Sequence, residues 1–236
     1  MDYELPWKST MLDSHVRTQL GAFDYAYHNF QFEELNLSNG NTGATNLPTS
    51  KIYGMEATVQ AQLGGCGADA GLSYVHSNLP SAGPFVNAHL LPPGTAGGQC
   101  GQDGNPGSPP GCFNYTPYLQ TASSGPILYS PEWTFNAGVE YKISVADGVT
   151  LTPRANYSYV SRQFTSLTYS EVTDNLRSHG LVSALITLRL HDHWGVETYG
   201  TNLSSKIYRT GQGLDNANYY FYGASRQFGV RARYQF

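Results

Sequence analysis

Along much of the chain, apolar and polar residues alternate one for one. Trp133, Phe135, Ala137, Val139, Tyr141 and Ile143 are interleaved with Thr134, Asn136, Gly138, Glu140 and Lys142. Successive side chains of a strand point to opposite faces, so this rhythm builds a strand with one greasy side and one polar side. Residues 149–159 repeat it, with Val149, Leu151, Ala155, Tyr157 and Tyr159 set against Thr150, Thr152, Arg154, Asn156 and Ser158. Residues 228–236 are cleaner still: Phe228, Val230, Ala232, Tyr234 and Phe236 alternate with Gly229, Arg231, Arg233 and Gln235. Residues 53–63, 70–74 and 181–190 follow the same rule, and residues 2–8 and 194–203 read as weaker strands. In residues 15–32 the apolar positions Val16, Leu20 and Ala22 give way to Phe23, Tyr25 and Tyr27, a change of face that a β-bulge would explain. No segment carries a helical stripe, so essentially no helix is predicted.

Several of these strands reach about 9–11 residues, the length a tilted strand needs to cross a bilayer, whereas soluble strands centre on about 5–6. The connections carry a second signal. Residues 9–14 are short and 33–50 long; 64–69 short and 78–130 very long; 145–148 short and 165–178 long; 191–193 short and 204–225 long. Strict alternation is the mark of an antiparallel transmembrane barrel with tight periplasmic turns and long extracellular loops. A Greek-key sandwich has no reason to alternate in this way. Counting back from the last strand gives nine strands. The reading rests on Trp133, Val139, Val230 and Tyr234 touching hydrocarbon; a compact core around them would overturn it.

Composition agrees. Of 236 residues, 13% are charged and 13% aromatic, with 18 Tyr, 10 Phe and 26 Gly, against about 25% charge in an ordinary soluble domain. Mean hydropathy is negative, as it is for barrels whose polar lumen cancels their apolar wall in any average. No stretch reaches the roughly 18 apolar residues of a transmembrane helix. A net charge of −4 without a Lys/Arg cluster argues against nucleic acid as a partner. The first residues show neither a basic nor an apolar leader region, so the numbering is expected to begin at a mature terminus or inside a longer protein, the second being preferred.

With the strands in place, several segments look familiar. Residues 226–236 (Arg-Gln-Phe-Gly-Val-Arg-Ala-Arg-Tyr-Gln-Phe) resemble the last strand of TonB-dependent receptors, and residues 51–59 (Lys-Ile-Tyr-Gly-Met-Glu-Ala-Thr-Val) resemble that family's recurring Gly-x-Glu strand. Residues 130–141, from Ser130-Pro131 to Gly138 and Tyr141, look like its Pro-to-Gly-x-x-Tyr strand, and Asn202-Leu203 like the pair after its penultimate strand. Residues 3–9 are similar to a Tyr-Glu-x-Gly-x-Lys strand, with Pro6 at the glycine position. The resemblance covers nearly the whole chain apart from the long loops. It implies a barrel of roughly 22 strands closed by a plug domain. Residues 1–236 would be the C-terminal part of that barrel, without the plug, in the bacterial outer membrane. It also implies that Tyr234 and Phe236 form the signal read by the barrel-assembly machinery. The partners implied are lipid, the remaining barrel strands, the plug domain and, through the plug, TonB.

The chemistry-bearing residues yield no enzyme. Cys100 and Cys112 lie in one long loop and are a disulfide candidate, the alternative being two unrelated thiols; Cys66 is expected in a turn at the opposite rim. His191-Asp192-His193 reads as a solvent-exposed turn rather than a metal site, and residues 64–67 as a hairpin turn rather than a phosphate loop. No Gly-x-Ser-x-Gly elbow occurs, and no cofactor is implied. Glu56, Glu140, Lys142, Arg154, Arg231 and Arg233 fall on the polar face. They are lumen-facing candidates that could hold a plug by salt bridges, although for any one of them a water-facing wall that needs polar residues is the simpler account. The function expected is the barrel wall of a receptor importing a siderophore, haem, vitamin or carbohydrate. The alternatives are a small self-contained barrel of about eight to ten strands acting as a passive channel or structural protein, and an outer-membrane hydrolase.

Overall fold

The computed structural model describes residues 2–37, 40–101, 111–191, 193–214 and 218–235. Nine long strands form one antiparallel sheet: β1 (Asp2–Met11), β2 (Val16–Tyr27), β3 (Ser50–Leu63), β4 (Cys66–Asn78), β5 (Trp133–Tyr141), β6 (Val149–Val160), β7 (His179–Leu190), β8 (Trp194–Thr201) and β9 (Gln227–Tyr234). Each pairs with its neighbours in sequence, so the order is the simple meander β1 to β9, with β1 and β9 as its edges. The segment Ile143–Ala146 adds a short ladder beside β6. The only helical elements among the described residues are 3₁₀ turns at Ala88–Leu90 and Thr116–Tyr118.

The sheet is open, and its two faces differ as the alternation requires. Trp133, Val139, Val230 and Tyr234 are 41, 52, 69 and 45% exposed. Nothing of a soluble core covers them. Leu5, Leu20, Met55, Val59, Leu72 and Ile186 lie exposed with them, giving the continuous apolar wall that a bilayer would cover.

Two expectations need correction. β2 pairs without interruption from Val16 to Tyr25 with β1 and from Val16 to Tyr27 with β3, so no bulge is present. Phe23 and Tyr25 lie instead on the polar face, their rings stacked 5.1 Å apart, with the Tyr25 hydroxyl donating to Glu4. Nor does Cys66 lie in a turn. Gly64 and Gly65 alone make that turn, Gly64 at φ +57°, where glycine carries no Cβ penalty. Leu63 faces Cys66 across the hairpin, and Cys66 opens β4.

At one end of the sheet the strands join by residues 12–15, 64–65, 142–148 and 191–193. All long connections gather at the other end and carry structure of their own. Phe30–Leu35 pairs with Thr42–Leu47, Ala82–Val86 with Leu119–Ala122, Gln163–Phe164 with Asn175–Leu176, and Arg209–Leu214 with Asn218–Tyr222. Leu47, Leu79, Phe85, Ala122 and Leu167 form a buried cluster drawn from three of these connections. The apolar core therefore sits in the loops rather than beneath the sheet.

Candidate functional site

Two places gather polar chemistry: the polar face of the sheet and the cap made by the long connections. On the face, register brings Glu140 of β5 opposite Arg154 of β6, and Gly138 opposite Asp69 of β4. Arg154 crosses β5 to reach both acids, with Nη1 3.1 Å from Glu140 Oε2 and Nη2 2.5 Å from Asp69 Oδ1. The crossing requires glycine at 138, since a Cβ there would lie 2.1 Å from Arg154 Nη2. Arg154 Nε is held at 2.8 Å by Asn156 Oδ1. On the far strands, Arg231 of β9 pairs with Glu197 of β8 at 2.5 Å.

Of the sequence candidates, Glu140 and Arg154 meet directly. Glu56, Arg231 and Arg233 share their face, with Glu56 opposite Ser73 and Arg233 opposite Gly195. Lys142 stands one residue past β5, where its N–H donates to Gly65 O at 2.7 Å. Sequence reasoning missed Asp69, which it left in a turn. Recognising Gly64-Gly65 as the whole turn would have placed Asp69 on the strand. Tyr234 contacts Trp194 with ring centroids 4.8 Å apart; Phe236 lies outside the described residues. His193 Nδ1 lies 3.0 Å from Gln235 O, tying the short turn to the end of β9; Asp192 is likewise outside the described residues.

In the cap, Cys100 and Cys112 form a disulfide. Beside it, Tyr115 is fully buried, its hydroxyl donating to Gly97 O at 2.9 Å, and burial pushes its phenol pKa up. Tyr169 donates to Pro126 O at 2.9 Å and meets Phe164 edge to face; burial raises its pKa to about 12. The Asp174 carboxylate, wholly buried, accepts from Thr168 Oγ1, from Ser170 N at 2.9 Å and from Thr173 Oγ1 at 2.9 Å. Among the described residues no cluster of three or more His, Cys, Asp or Glu could hold a metal.

The sheet, its faces and its one-sided loops can be compared with known proteins. The family model described as TonB dependent receptor-like, beta-barrel matches residues 2–203. The chain belongs to this family. Membership places the TonB-dependent receptor chain in the outer membrane of a Gram-negative bacterium. The siderophore receptor PiuA from Acinetobacter baumannii superposes with a TM-score of 0.63 at 18% identity, over 98% of this chain and 27% of that one. The ferric yersiniabactin uptake receptor FyuA from Yersinia pestis gives 0.68 at 14%, over 100% and 29%. BauA, the ferric preacinetobactin receptor of Acinetobacter baumannii, gives 0.63 at 16%, over 99% and 29%. At such identities the likeness establishes the fold, a partial barrel wall, and the chain spans less than a third of the length of each. No curated protein sequence matches.

Proposed function

We propose that these residues are the C-terminal wall of an outer-membrane receptor that imports a scarce, large nutrient with energy delivered by TonB. The observation that carries the reading is the family match over β1 to β8 of a nine-stranded meander whose long connections all lie at one end. In this reading the apolar face meets lipid. The polar face, with Glu56, Glu140, Arg154, Arg231 and Arg233 on it, lines the lumen and faces a plug domain carried outside these residues. Further barrel strands pair with β1 and β9, because open sheet edges are not tolerated in lipid. The plug passes the contact to TonB, and Tyr234 with Phe236 is read by the barrel-assembly machinery. The ligand passes unchanged, so the receptor is no enzyme. A self-contained barrel would pair β1 with β9; both are edges here.

Because similar structures are named as a siderophore receptor and as receptors for ferric yersiniabactin and ferric preacinetobactin, ferric chelates are the first ligands to try. Uptake of labelled iron(III) complexes of catecholates, hydroxamates and citrate is compared in cells with and without the receptor, each with and without TonB. Receptor-dependent uptake that vanishes without TonB is expected. Receptor-dependent entry that persists without TonB would instead establish a passive channel.

A further inference from the structure

The cap holds a groove of about 530 Å³ between the start of β7 and the connection that follows β8. Three cations converge there: Arg177, Lys206 and Arg209. None of them forms an ion pair with a carboxylate among the described residues. The acid in the lining, Glu171, is already committed, with Oε1 2.8 Å from Arg162 Nη1 and Oε2 accepting from Asn175 Nδ2 at 2.5 Å. The groove is therefore left with unbalanced positive charge.

Its aromatic groups are ordered. His179 and Tyr208 stack with centroids 4.4 Å apart, and the Tyr208 ring lies where a Cβ on Gly223 would meet it at 2.0 Å. One side of Tyr208 is thus packed on backbone and another on imidazole. Arg209 is held over the Tyr220 ring at 3.7 Å, which fixes where its guanidinium stands. Tyr222 lines the groove and remains 59% exposed, and beside it Val172 and Ile207 are 83 and 82% exposed. Residue parity along β7 puts His179 on the same face as Leu185, the partner of Arg154. The groove accordingly opens at the outer end of the polar face.

We infer that this groove binds a small anion bearing a flat ring, its charged oxygens held by Arg177, Lys206 and Arg209 and its ring laid against Tyr222. Cations without a protein counter-ion attract such oxygens, guanidinium groups bind them through paired donors, and the aromatic and aliphatic rim supplies a face that a simple inorganic anion would leave bare. This deepens the transport reading and rests on it, since the occupant would be the nutrient or a part of it.

The test uses the whole receptor, purified in detergent, with pyranine, a fluorescent pyrene carrying several sulfonates, as the probe. Saturable binding is expected by anisotropy, weakening with added salt. Neither citrate, an anion without a flat ring, nor a neutral pyrene alcohol should compete well. The combined variant Arg177→Gln, Lys206→Gln, Arg209→Gln should weaken binding by about tenfold or more, as expected when three screened charge contacts are lost together. Tyr222→Ala, at an exposed position, should weaken it severalfold. Lys51→Gln, also near the long-loop end but on the apolar face, should leave it unchanged. Absent saturable binding, binding unaffected by the triple variant, or competition by citrate equal to pyranine overturns the inference. The uptake assay separates the two claims. TonB-dependent uptake with no pyranine site leaves transport standing and removes the groove, whereas groove-dependent pyranine binding without TonB-dependent uptake does the reverse.

Discussion

His89 Nε2 and Asp174 Oδ1 lie 2.6 Å apart, with the His89 side chain almost buried and Asp174 wholly so. The pair fastens the connection after β4 to the one after β6. Donors from Thr168, Ser170 and Thr173 converge on the same carboxylate. Asp174→Ala should strand these donors, each hydrogen bond to a charged acceptor being worth about 1.5–3 kcal/mol. Amide exchange across residues 165–176 is expected to quicken by about tenfold or more while β5 to β7 stay protected. Unchanged exchange in that loop would show that the pair does not hold the cap.

Arg154 is placed between two acids that would otherwise face each other across a glycine. Arg154→Met leaves Asp69 and Glu140 without their shared cation. The groups are partly exposed, so the expected loss is about 1 kcal/mol. It is measured by urea unfolding of the reconstituted receptor. Adding Glu140→Gln to that variant should recover most of the loss, because the residual repulsion is removed.

Val59 and Thr58 are neighbours on β3 that point to opposite faces. Val59→Arg puts a cation against hydrocarbon and should cost about 2–4 kcal/mol near mid-bilayer. Thr58→Arg, on the polar face, should cost little. Heat-modifiable mobility of the two variants distinguishes them, and equal behaviour would contradict the assignment of the faces.

Tyr169 gives the cap a dependence on alkaline pH. Its phenol is neutral when protonated, and burial raises its pKa from 10.0 to about 12. In the opened loop the phenol ionises near 10, so the folded form binds the extra proton between those values. The stabilisation is therefore complete below pH 10 and is lost as pH rises toward about 12. Tyrosinate absorbance should show late-titrating groups, and Tyr169→Phe should remove one of them.

The strands were legible because the bilayer imposes a period of two on long segments, and the tight turns were legible as breaks in it. Phe23 and Tyr25 misled because aromatic residues were counted as apolar. On the polar face their rings stack on each other and the Tyr25 hydroxyl finds Glu4, so alternation by residue class fails while alternation of direction persists. Asp69 escaped because Gly64 to Gly67 looked like one long turn. The disulfide pairing was legible from two cysteines within one loop. The cap was not: the pairing of Phe30–Leu35 with Thr42–Leu47 and the meeting of His89 with Asp174 depend on packing between connections far apart in sequence. No local period records such contacts. The groove was missed for the same reason, since Arg177, Lys206 and Arg209 form no motif until β7 and the connection after β8 are side by side.

Each strand of the meander touches only the strands before and after it in the chain. A hairpin is thus a complete unit of architecture, and two strands can be gained or lost together without inverting any that remain. Single-strand changes carry no such freedom, because they would send every later loop to the wrong side of the membrane. Evolution in a wall of this kind is confined to steps of two, and resizing the aperture and redecorating the cell surface become separate events.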